Sequence, residues 1–280
     1  MRLRIDLAYD GAGFHGWARQ RELRTVQAEV ERSLDTVLRS TGSSLTVAGR
    51  TDTGVHARGQ VCHVDVDPET VVAAAGRSHE PTMDALRRRL NGLLDPDIRI
   101  LLVAQAAAGF DARFSAIWRR YAYRIADRAQ LVDPLSRGFV LTRQRELDLD
   151  AMNAASQHLL GEHDFAAFCR RREGATTIRT LLDLHWDRDP AGLAVGTVRA
   201  DAFCHNMVRS LVGCLIVVGE HRRDATWAAE VLTGRRRDPA ITVARAHGLT
   251  LEEVAYPADA ELAARAHESR ATRTLTPPSD

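Results

Sequence analysis

Strands and helices alternate along this chain in the order β-α-β-β-α-β, and this order occurs twice. Apolar and charged residues alternate at 3–9, which predicts a half-buried strand, and an apolar stripe with Thr25 as N-cap predicts a helix at 25–39. The other elements of the first half are predicted at 45–48, 60–66, 82–94 and 98–103. The last of these is apolar apart from Arg99, and such a run is typical of a strand buried on both faces.

The second half has the same order of elements. Strands are predicted at 118–126, 178–187, 193–200 and 251–254, and helices at 149–160, 203–218 and 226–232. We therefore predict an α+β fold of two similar ferredoxin-like halves. Their antiparallel sheets are expected to form a central extended sheet, with helices packed on one side and a cleft between the halves.

The predicted domains are an N-terminal domain at 1–110, a C-terminal domain at 111–257 and a tail at 258–280. The tail ends in ATRTLTPPSD, which has few large apolar residues, and we expect it to be mobile. The small and polar stretch at 73–80 is expected to be an unpacked insertion.

The charges of the chain nearly cancel, since it has 38 basic and 37 acidic side chains and therefore a formal net charge of +1. This balance removes the simplest argument for a nucleic-acid binder, a large positive charge. Every basic residue is arginine, because the sequence contains no lysine. The bias fits a GC-rich coding sequence, and it also fits phosphate recognition, because guanidinium groups match phosphate geometry.

Targeting and redox signals predict a cytoplasmic protein. The chain has no apolar stretch of signal-peptide or membrane-span length, and its four cysteines form no CxxC pair. We expect all four cysteines to be small buried hydrophobic residues rather than metal ligands or disulfide partners. No glycine-rich nucleotide motif or cluster of metal ligands is present, so neither a cofactor nor a metal is expected.

A glycine-rich connection at 48–61 is the most distinctive local feature, with Asp52 near its centre. Glycines at this density relieve strain in a tight connection, and such a loop can hold one carboxylate in a fixed place on a rigid scaffold. From the residues alone, the simpler interpretation is that Asp52 is a turn aspartate that bonds to its own backbone.

This connection is one of an ordered set of motifs. Its sequence, GRTDTGVHARGQV, resembles the signature of the tRNA pseudouridine synthase A family. The other motifs that resemble the family are YDGAGFHGW at 9–17, TVQ at 25–27, FDARFSA at 110–116, RYAY at 120–123, DF at 164–165, IRT at 178–180, FCHNMVRSLVG at 203–213, GL at 248–249 and VAYP at 254–257. Three residues depart from the family's pattern: Asp111, Asn206 and Arg245.

The resemblance implies an enzyme that isomerises uridine to pseudouridine in the anticodon stem-loop of tRNA, at positions 38–40. The family's catalytic residue is the aspartate of GRTD, which corresponds to Asp52. It either attacks the nucleoside covalently or removes a proton from the ribose, and the sequence does not separate these routes. The resemblance also implies a homodimer, with tRNA as the partner.

Two residues expected to bind the substrate, Tyr121 and Arg209, follow from the same resemblance. Tyr121 suits stacking on uracil, and Arg209 is the cation expected to keep Asp52 ionised. Arg50 has a planar head that could fill the space left by a flipped base, or form a local salt bridge with Asp52. His56 either shapes the loop or touches RNA, and His205 is a further candidate RNA contact.

Phosphate contacts are expected from some of the arginine clusters, which lie at 87–89, 170–172, 222–223 and 235–237. Arg170 and Arg171 follow the family-like DF motif and are the preferred candidates, although such clusters are usually solvated surface. Two alternatives to the synthase remain: a nucleoside or base hydrolase, which would release free uracil, and a non-catalytic RNA-binding module.

Overall fold

The computed structural model describes residues 1–76, 79–170, 176–236 and 238–271, and the chain divides into two compact units. The first unit contains residues 1–117 and 251–270. The second contains residues 118–250 and residue 271.

The first unit is an antiparallel sheet with helices. Its strands are β1 (Arg2–Tyr9), β2 (Thr46–Val47), β3 (His56–Asp65) and β4 (Ile98–Gln105). Its first helices are α1 (Val26–Leu38), α2 (Pro68–Ala75) and α3 (Thr82–Leu93). The strands pair in the order β4-β1-β3-β2, and every pair is antiparallel. This is the order of a ferredoxin-like sheet, as predicted.

Helix α1 forms where the apolar stripe and its capping residue predicted it. The Thr25 hydroxyl accepts a hydrogen bond from the Ala28 amide, which satisfies one of the free donors at the start of the helix. The helix ends at Arg39, whose left-handed backbone (φ 50°) cannot continue it. Val26, Val30, Leu34 and Leu38 of the apolar stripe are buried, and Val37 is half-buried.

Strand β4 corrects the expectation that residues 98–103 are buried on both faces. Leu101 and Leu102 are 48% and 44% exposed. The strand lies at the end of the β4-β1-β3-β2 order, and its pairing with β1 shifts register between Asp6 and Leu7. Such an irregularity interrupts the alternation of faces, so the apolar run does not stay inside.

Two segments expected to be unpacked contain helices. Part of the 73–80 stretch lies in α2, where Ala74 is buried, while residues 77 and 78 lie outside the described residues. In the predicted tail, α7 (Leu262–Glu268) buries Leu262 and Ala266. These apolar side chains are four residues apart, one helical turn, which is enough to seat a short helix.

The second unit repeats the plan. Its strands are β5 (Trp118–Ala126), β6 (Leu141–Thr142), β7 (Gly161–Asp164), β8 (Ile178–Arg188) and β9 (Ala194–Ala200), and β10 (Leu249–Ala255) begins in it. Its helices are α4 (Leu149–Gln157), α5 (Met207–Gly219) and α6 (Trp227–Gly234). Strands β5-β9-β8-β7 are antiparallel neighbours, and β6 runs parallel to β5. The α+β class is confirmed.

Helix α5 begins four residues later than its apolar pattern predicted. Asn206 has a left-handed backbone (φ 66°), so the helix starts at Met207 and leaves Phe203 in the preceding loop. All residues of α5 except Arg209 are buried. The helix is therefore the core of this unit, and its N-terminal arginine is the exception.

The cysteines correct a second expectation. Cys62 and Cys214 are buried and free, as predicted, whereas Cys169 and Cys204 form a disulfide with Cα atoms 5.8 Å apart. A separation of 35 residues gave no sequence signal for this pair. Across the described ranges, no helix is long and apolar enough to cross a membrane.

Candidate active site

Asp52 lies on a tight turn at the end of the connection that precedes β3. The Val55 amide donates to the Asp52 carbonyl at 3.1 Å, and Gly54 has a positive φ of 77°. A turn whose third residue has a positive φ favours glycine at that position, because glycine adopts this backbone without a steric cost. The turn leaves the Asp52 side chain half-buried and the Arg50 side chain exposed.

Hydrogen bonds among three buried side chains support this turn. The Tyr9 and Thr51 hydroxyl oxygens are 2.7 Å apart, and the Gln60 amide nitrogen donates to the Tyr9 oxygen at 3.1 Å and to the Gly49 carbonyl at 2.9 Å. All three side chains are buried. Burial raises the pKa of the Tyr9 phenol well above its usual range, although its bonds to Thr51 and Gln60 oppose the shift. Tyr9 therefore stays a neutral hydrogen-bonding group.

The loop after β1 packs directly on the turn. The Trp17 amide donates to the Thr51 carbonyl at 3.0 Å, and Gly16 (φ 88°) lies so close that a Cβ there would be 2.9 Å from the same oxygen. A Cβ on Gly11 would be 2.0 Å from the Val55 carbonyl oxygen. The glycines of the YDGAGFHGW motif thus allow two backbone segments to touch beside Asp52.

His56 is buried in the first unit rather than placed on its surface. The Gly11 amide donates to His56 Nδ1 at 2.9 Å, so this ring nitrogen acts as an acceptor. The contact ties the start of β3 to the loop after β1. Of the two predicted roles, shaping the loop agrees with this position. Arg50 makes no ion pair within the described part of the chain, so the alternative of a salt bridge with Asp52 is not present.

The remaining predicted site residues belong to the second unit. Tyr121 lies on β5, is 7% exposed and meets the ring of Phe203 edge to face, with centroids 5.2 Å apart. Phe203 falls within the helix predicted at 203–218, and its actual position before the helix is what brings it to Tyr121. Tyr123, two residues further along β5, is a buried core residue whose hydroxyl donates to the Arg245 carbonyl at 2.8 Å.

Arg209 lies in the first turn of α5 and is held by two groups. Its Nε donates to the Ala244 carbonyl at 2.6 Å, and its Nη1 donates to the Asn206 side chain at 3.4 Å. The Ala244 amide in turn donates to the Arg209 carbonyl at 3.0 Å. Asn206, one of the departures from the family pattern, thus has a local role as the residue that starts α5 and supports Arg209.

His205 and Arg170 lie next to each other and are both exposed. The Arg170 amide donates to the His205 carbonyl at 3.0 Å, and the neighbouring Cys169 and Cys204 are joined by the disulfide. Tyr121, Arg170, His205 and Arg209 are therefore gathered around the segment 203–209. Arg171 lies outside the described residues.

Comparison with known proteins decides the family. A family model described as tRNA pseudouridine synthase matches residues 155–257. A tRNA pseudouridine synthase A of Streptomyces griseus is 62% identical over 98% of this chain and 95% of its own. Those of Frankia casuarinae and Streptomyces avermitilis are 57% and 55% identical, over 100% and 98% of this chain and 98% and 95% of theirs. The chain belongs to the tRNA pseudouridine synthase A family.

As a member of this family, the protein is an isomerase that converts uridine to pseudouridine in tRNA. The reaction moves one glycosidic bond within a single nucleotide, so the site must hold the detached base and contact the RNA. Among the described residues, no group of three or more His, Cys, Asp or Glu side chains is arranged to hold a metal ion.

Sequence reasoning missed several residues around the site. Tyr9, Thr51 and Gln60 stand inside quoted motifs, but nothing in their spacing shows that they bond to each other. Phe203 also stands in a motif, and the helix predicted at 203–218 includes it because its spacing continues the apolar stripe of α5. The signal that could have separated Phe203 from the stripe is Asn206, a residue that readily adopts left-handed backbone.

Proposed function

We propose that Asp52 is the catalytic carboxylate of this synthase. In the reaction the N1–C1′ bond of uridine breaks, the detached uracil turns, and C5 bonds to C1′ while the C5 proton leaves and N1 gains one. Asp52 either bonds to the nucleoside or removes a proton from the ribose, and both routes need an ionised carboxylate. The observation that carries the proposal is the hydrogen-bonded turn that holds Asp52. Because the carboxylate is already held in place, no substrate-binding energy is needed to immobilise it.

We infer that Tyr121 and Arg209 contribute to binding the flipped uridine. A tyrosine whose ring is held by an aromatic neighbour presents a defined face for stacking on uracil. Arg209 brings a permanent guanidinium charge to the start of α5, and its planar set of donors suits an anionic carboxylate or phosphate oxygen.

Arg50, His205 and Arg170 are proposed as contacts to the RNA around the target nucleotide. All three are exposed, which a contact to the sugar–phosphate backbone requires. Arg50 has the planar head needed to fill the space that a flipped base leaves. Arg171, next to Arg170, keeps its proposed role from the sequence alone, and His56 is proposed to shape the loop.

The finer identity of the substrate follows from the family resemblance. We propose that the enzyme modifies the anticodon stem-loop at positions 38–40, that it acts as a homodimer, and that it works in the cytoplasm, where tRNA is processed. No cofactor enters the proposed reaction, because every atom of the product comes from the substrate.

The test uses tRNA that carries tritium at C5 of uridine. The wild type is expected to release tritium to water without free uracil, and Asp52→Ala and Asp52→Asn are expected to lower release by several orders of magnitude. Asp133→Asn, which changes an exposed aspartate in a loop of the second unit, is the control and should match the wild type.

The outcomes separate the proposal from its alternatives. Release of free uracil would indicate a hydrolase, and the absence of release by the wild type would indicate a binding module. Full release by Asp52→Ala would remove Asp52 from the reaction. Mapping pseudouridine by carbodiimide-dependent primer stops then shows whether positions 38–40 carry the modification.

A further inference from the structure

The second unit contains a recess of about 530 Å³ beside α5. Its floor is apolar and consists of Val140 and Leu141, at the start of β6, and of Ile216 and Val217 on α5. One wall is the segment 242–245, which lies directly on the helix, since a Cβ on Gly213 would be 1.9 Å from the Thr242 carbonyl oxygen. A volume of this size falls in the range of pockets that hold small ligands.

The rim of the recess is strongly basic. Four arginines, Arg137, Arg143, Arg222 and Arg245, line it together with His247, and none of the described residues that line it is acidic. Glu220, whose side chain is 5% exposed, accepts a hydrogen bond from Arg143 and lies 3.6 Å from Arg222. One carboxylate therefore offsets two guanidinium groups.

The other two arginines of the rim have no carboxylate partner. Arg137 donates to the Pro134 carbonyl, and neither Arg137 nor Arg245 makes an ion pair among the described residues. Both are exposed. The rim thus holds an excess of positive charge around a concave surface, which concentrates anions there.

The recess adjoins the backbone that positions Arg209. Ala244, in its wall, accepts from Arg209 Nε and donates to the Arg209 carbonyl. Gly213, which also lines the recess, is four residues after Arg209 on α5, which is about one helical turn. A ligand in the recess would touch the segment that holds this arginine.

We propose that this recess binds phosphate groups of the tRNA backbone, at nucleotides other than the one that reacts. Guanidinium groups match phosphate oxygens, and the apolar floor suits the sugar or base attached to them. The tRNA backbone is the occupant because the enzyme's substrate presents a phosphate at every nucleotide. The proposal rests on tRNA being the substrate and is independent of the role of Asp52.

The test compares affinities for full-length tRNA in the Asp52→Ala background, so that turnover plays no part. The double variants Arg137→Gln/Arg245→Gln and Arg137→Glu/Arg245→Glu are compared with the parent across a salt series. We expect the dissociation constant to rise about tenfold for the glutamine pair and further for the glutamate pair at moderate salt. The negative slope of the logarithm of the association constant against the logarithm of the salt concentration should become smaller in magnitude by about 1 for each lost phosphate contact.

The control is Arg21→Glu, which lowers the net charge by two units, as the glutamine pair does, at an arginine side chain that is 94% exposed and outside the recess. Melting temperatures of all variants verify that they fold. Replacing chloride with inorganic phosphate at constant ionic strength should weaken tRNA binding more in the parent than in the double variants. This difference is expected only if the recess itself takes phosphate.

Three results would overturn the proposal. The first is tRNA affinity and salt slope in both double variants equal to those of the parent. The second is an equal loss of affinity in Arg21→Glu, which would assign the effect to overall charge. The third is binding of uridine 5′-monophosphate that the double variants lose while their tRNA affinity is unchanged, which would assign the recess to a free nucleotide.

Discussion

The hydroxyl oxygens of Tyr9 and Thr51 lie 2.7 Å apart inside the first unit, and Thr51 directly precedes Asp52 in the chain. Tyr9 ends β1 and Thr51 belongs to the connection before β3, so this bond joins two segments 42 residues apart in sequence. Gln60 completes the contact from β3. The proposed catalytic turn is thus anchored to the sheet by side chains rather than by its own backbone alone.

Replacing Tyr9 with phenylalanine should affect turnover more than substrate binding. The change removes the buried hydroxyl to which Thr51 and Gln60 form hydrogen bonds, and this loss lowers the free energy of unfolding by about 1–2 kcal/mol. Because the turn then loses its anchor, we expect kcat to fall several-fold with little change in KM, as measured by tritium release.

The matched control for this variant is Tyr256→Phe. Tyr256 donates a phenolic hydrogen bond to the Ala112 carbonyl at 2.7 Å in the same unit. It should lose comparable stability and keep the wild-type kcat. Equal losses of kcat in the two variants would show that the Tyr9–Thr51 bond has no specific connection to catalysis.

Gly16→Ala should damage the Asp52 turn beyond the cost of its backbone conformation. Gly16 and Gly42 both have positive φ, 88° and 81°, so alanine costs about 1 kcal/mol at either position. A Cβ on Gly16 also meets the Thr51 carbonyl oxygen at 2.9 Å, whereas Gly42 has nothing within 4 Å.

Urea unfolding and tritium release together check this prediction. Gly42→Ala should unfold at slightly lower urea and keep full activity, while Gly16→Ala should lose more stability and also lose kcat. If Gly16→Ala behaves like Gly42→Ala in both measurements, the close approach of the two segments is not needed for the turn.

Phe203→Leu should lower kcat/KM for tRNA, because it removes the ring that packs against Tyr121. The edge-to-face pair contributes about 0.5–1.5 kcal/mol, so losing it should lower kcat/KM by about 2- to 10-fold if Tyr121 stacks on the base. Phe165→Leu removes a ring from another aromatic pair of the same unit, with Phe168. That variant should lose more stability, because Phe165 is fully buried, and keep kcat/KM. Unchanged kcat/KM in Phe203→Leu would contradict the prediction.

Asp127→Asn should destabilise the protein at neutral pH but not in acid. Burial alone would raise the pKa of Asp127, but its bonds from Arg188 (2.5 and 2.7 Å) and from the Leu147 amide (2.8 Å) leave that pKa below its usual range. A lowered pKa in the folded state adds stability above the unfolded-state pKa and loses it as pH falls through the folded one.

The variant leaves the Arg188 guanidinium, whose side chain is 25% exposed, with Glu146 at 3.9 Å in place of its closest carboxylate, which costs about 1–3 kcal/mol at pH 7. Denaturant unfolding from pH 7 down to pH 3 should show the difference from the wild type shrinking as the wild-type carboxylate protonates. A difference that stays constant over this range would mean that the charge of Asp127 does not contribute.

Local patterns in the sequence were sufficient for most of the secondary structure. The alternation at β1, the capped stripe of α1 and the strand patterns of β5, β8 and β9 all predicted elements that the structure contains, because each pattern repeats with the period of its own backbone. The twofold β-α-β-β-α-β order then predicted two ferredoxin-like units. The ordered motifs predicted the family.

The errors occurred where distant residues decide the outcome. Leu101 and Leu102 are exposed because β4 lies at the end of its unit's strand order and pairs irregularly with β1, and neither fact can be seen within the strand. Residues 203–206 lie outside α5 because Asn206 turns the backbone left-handed despite an apolar spacing that continues the helix.

The sequence by itself determined the elements, the family and Asp52 as the candidate carboxylate, because these depend on periodicity, capping and motif order along the chain. The tertiary structure decided what surrounds them: the bonds from Tyr9 and Gln60 to the turn of Asp52, the ring of Phe203 against Tyr121, and the basic recess beside Arg209. These relations join residues tens of positions apart. They arise only when folding brings the segments into contact, so no local pattern encodes them.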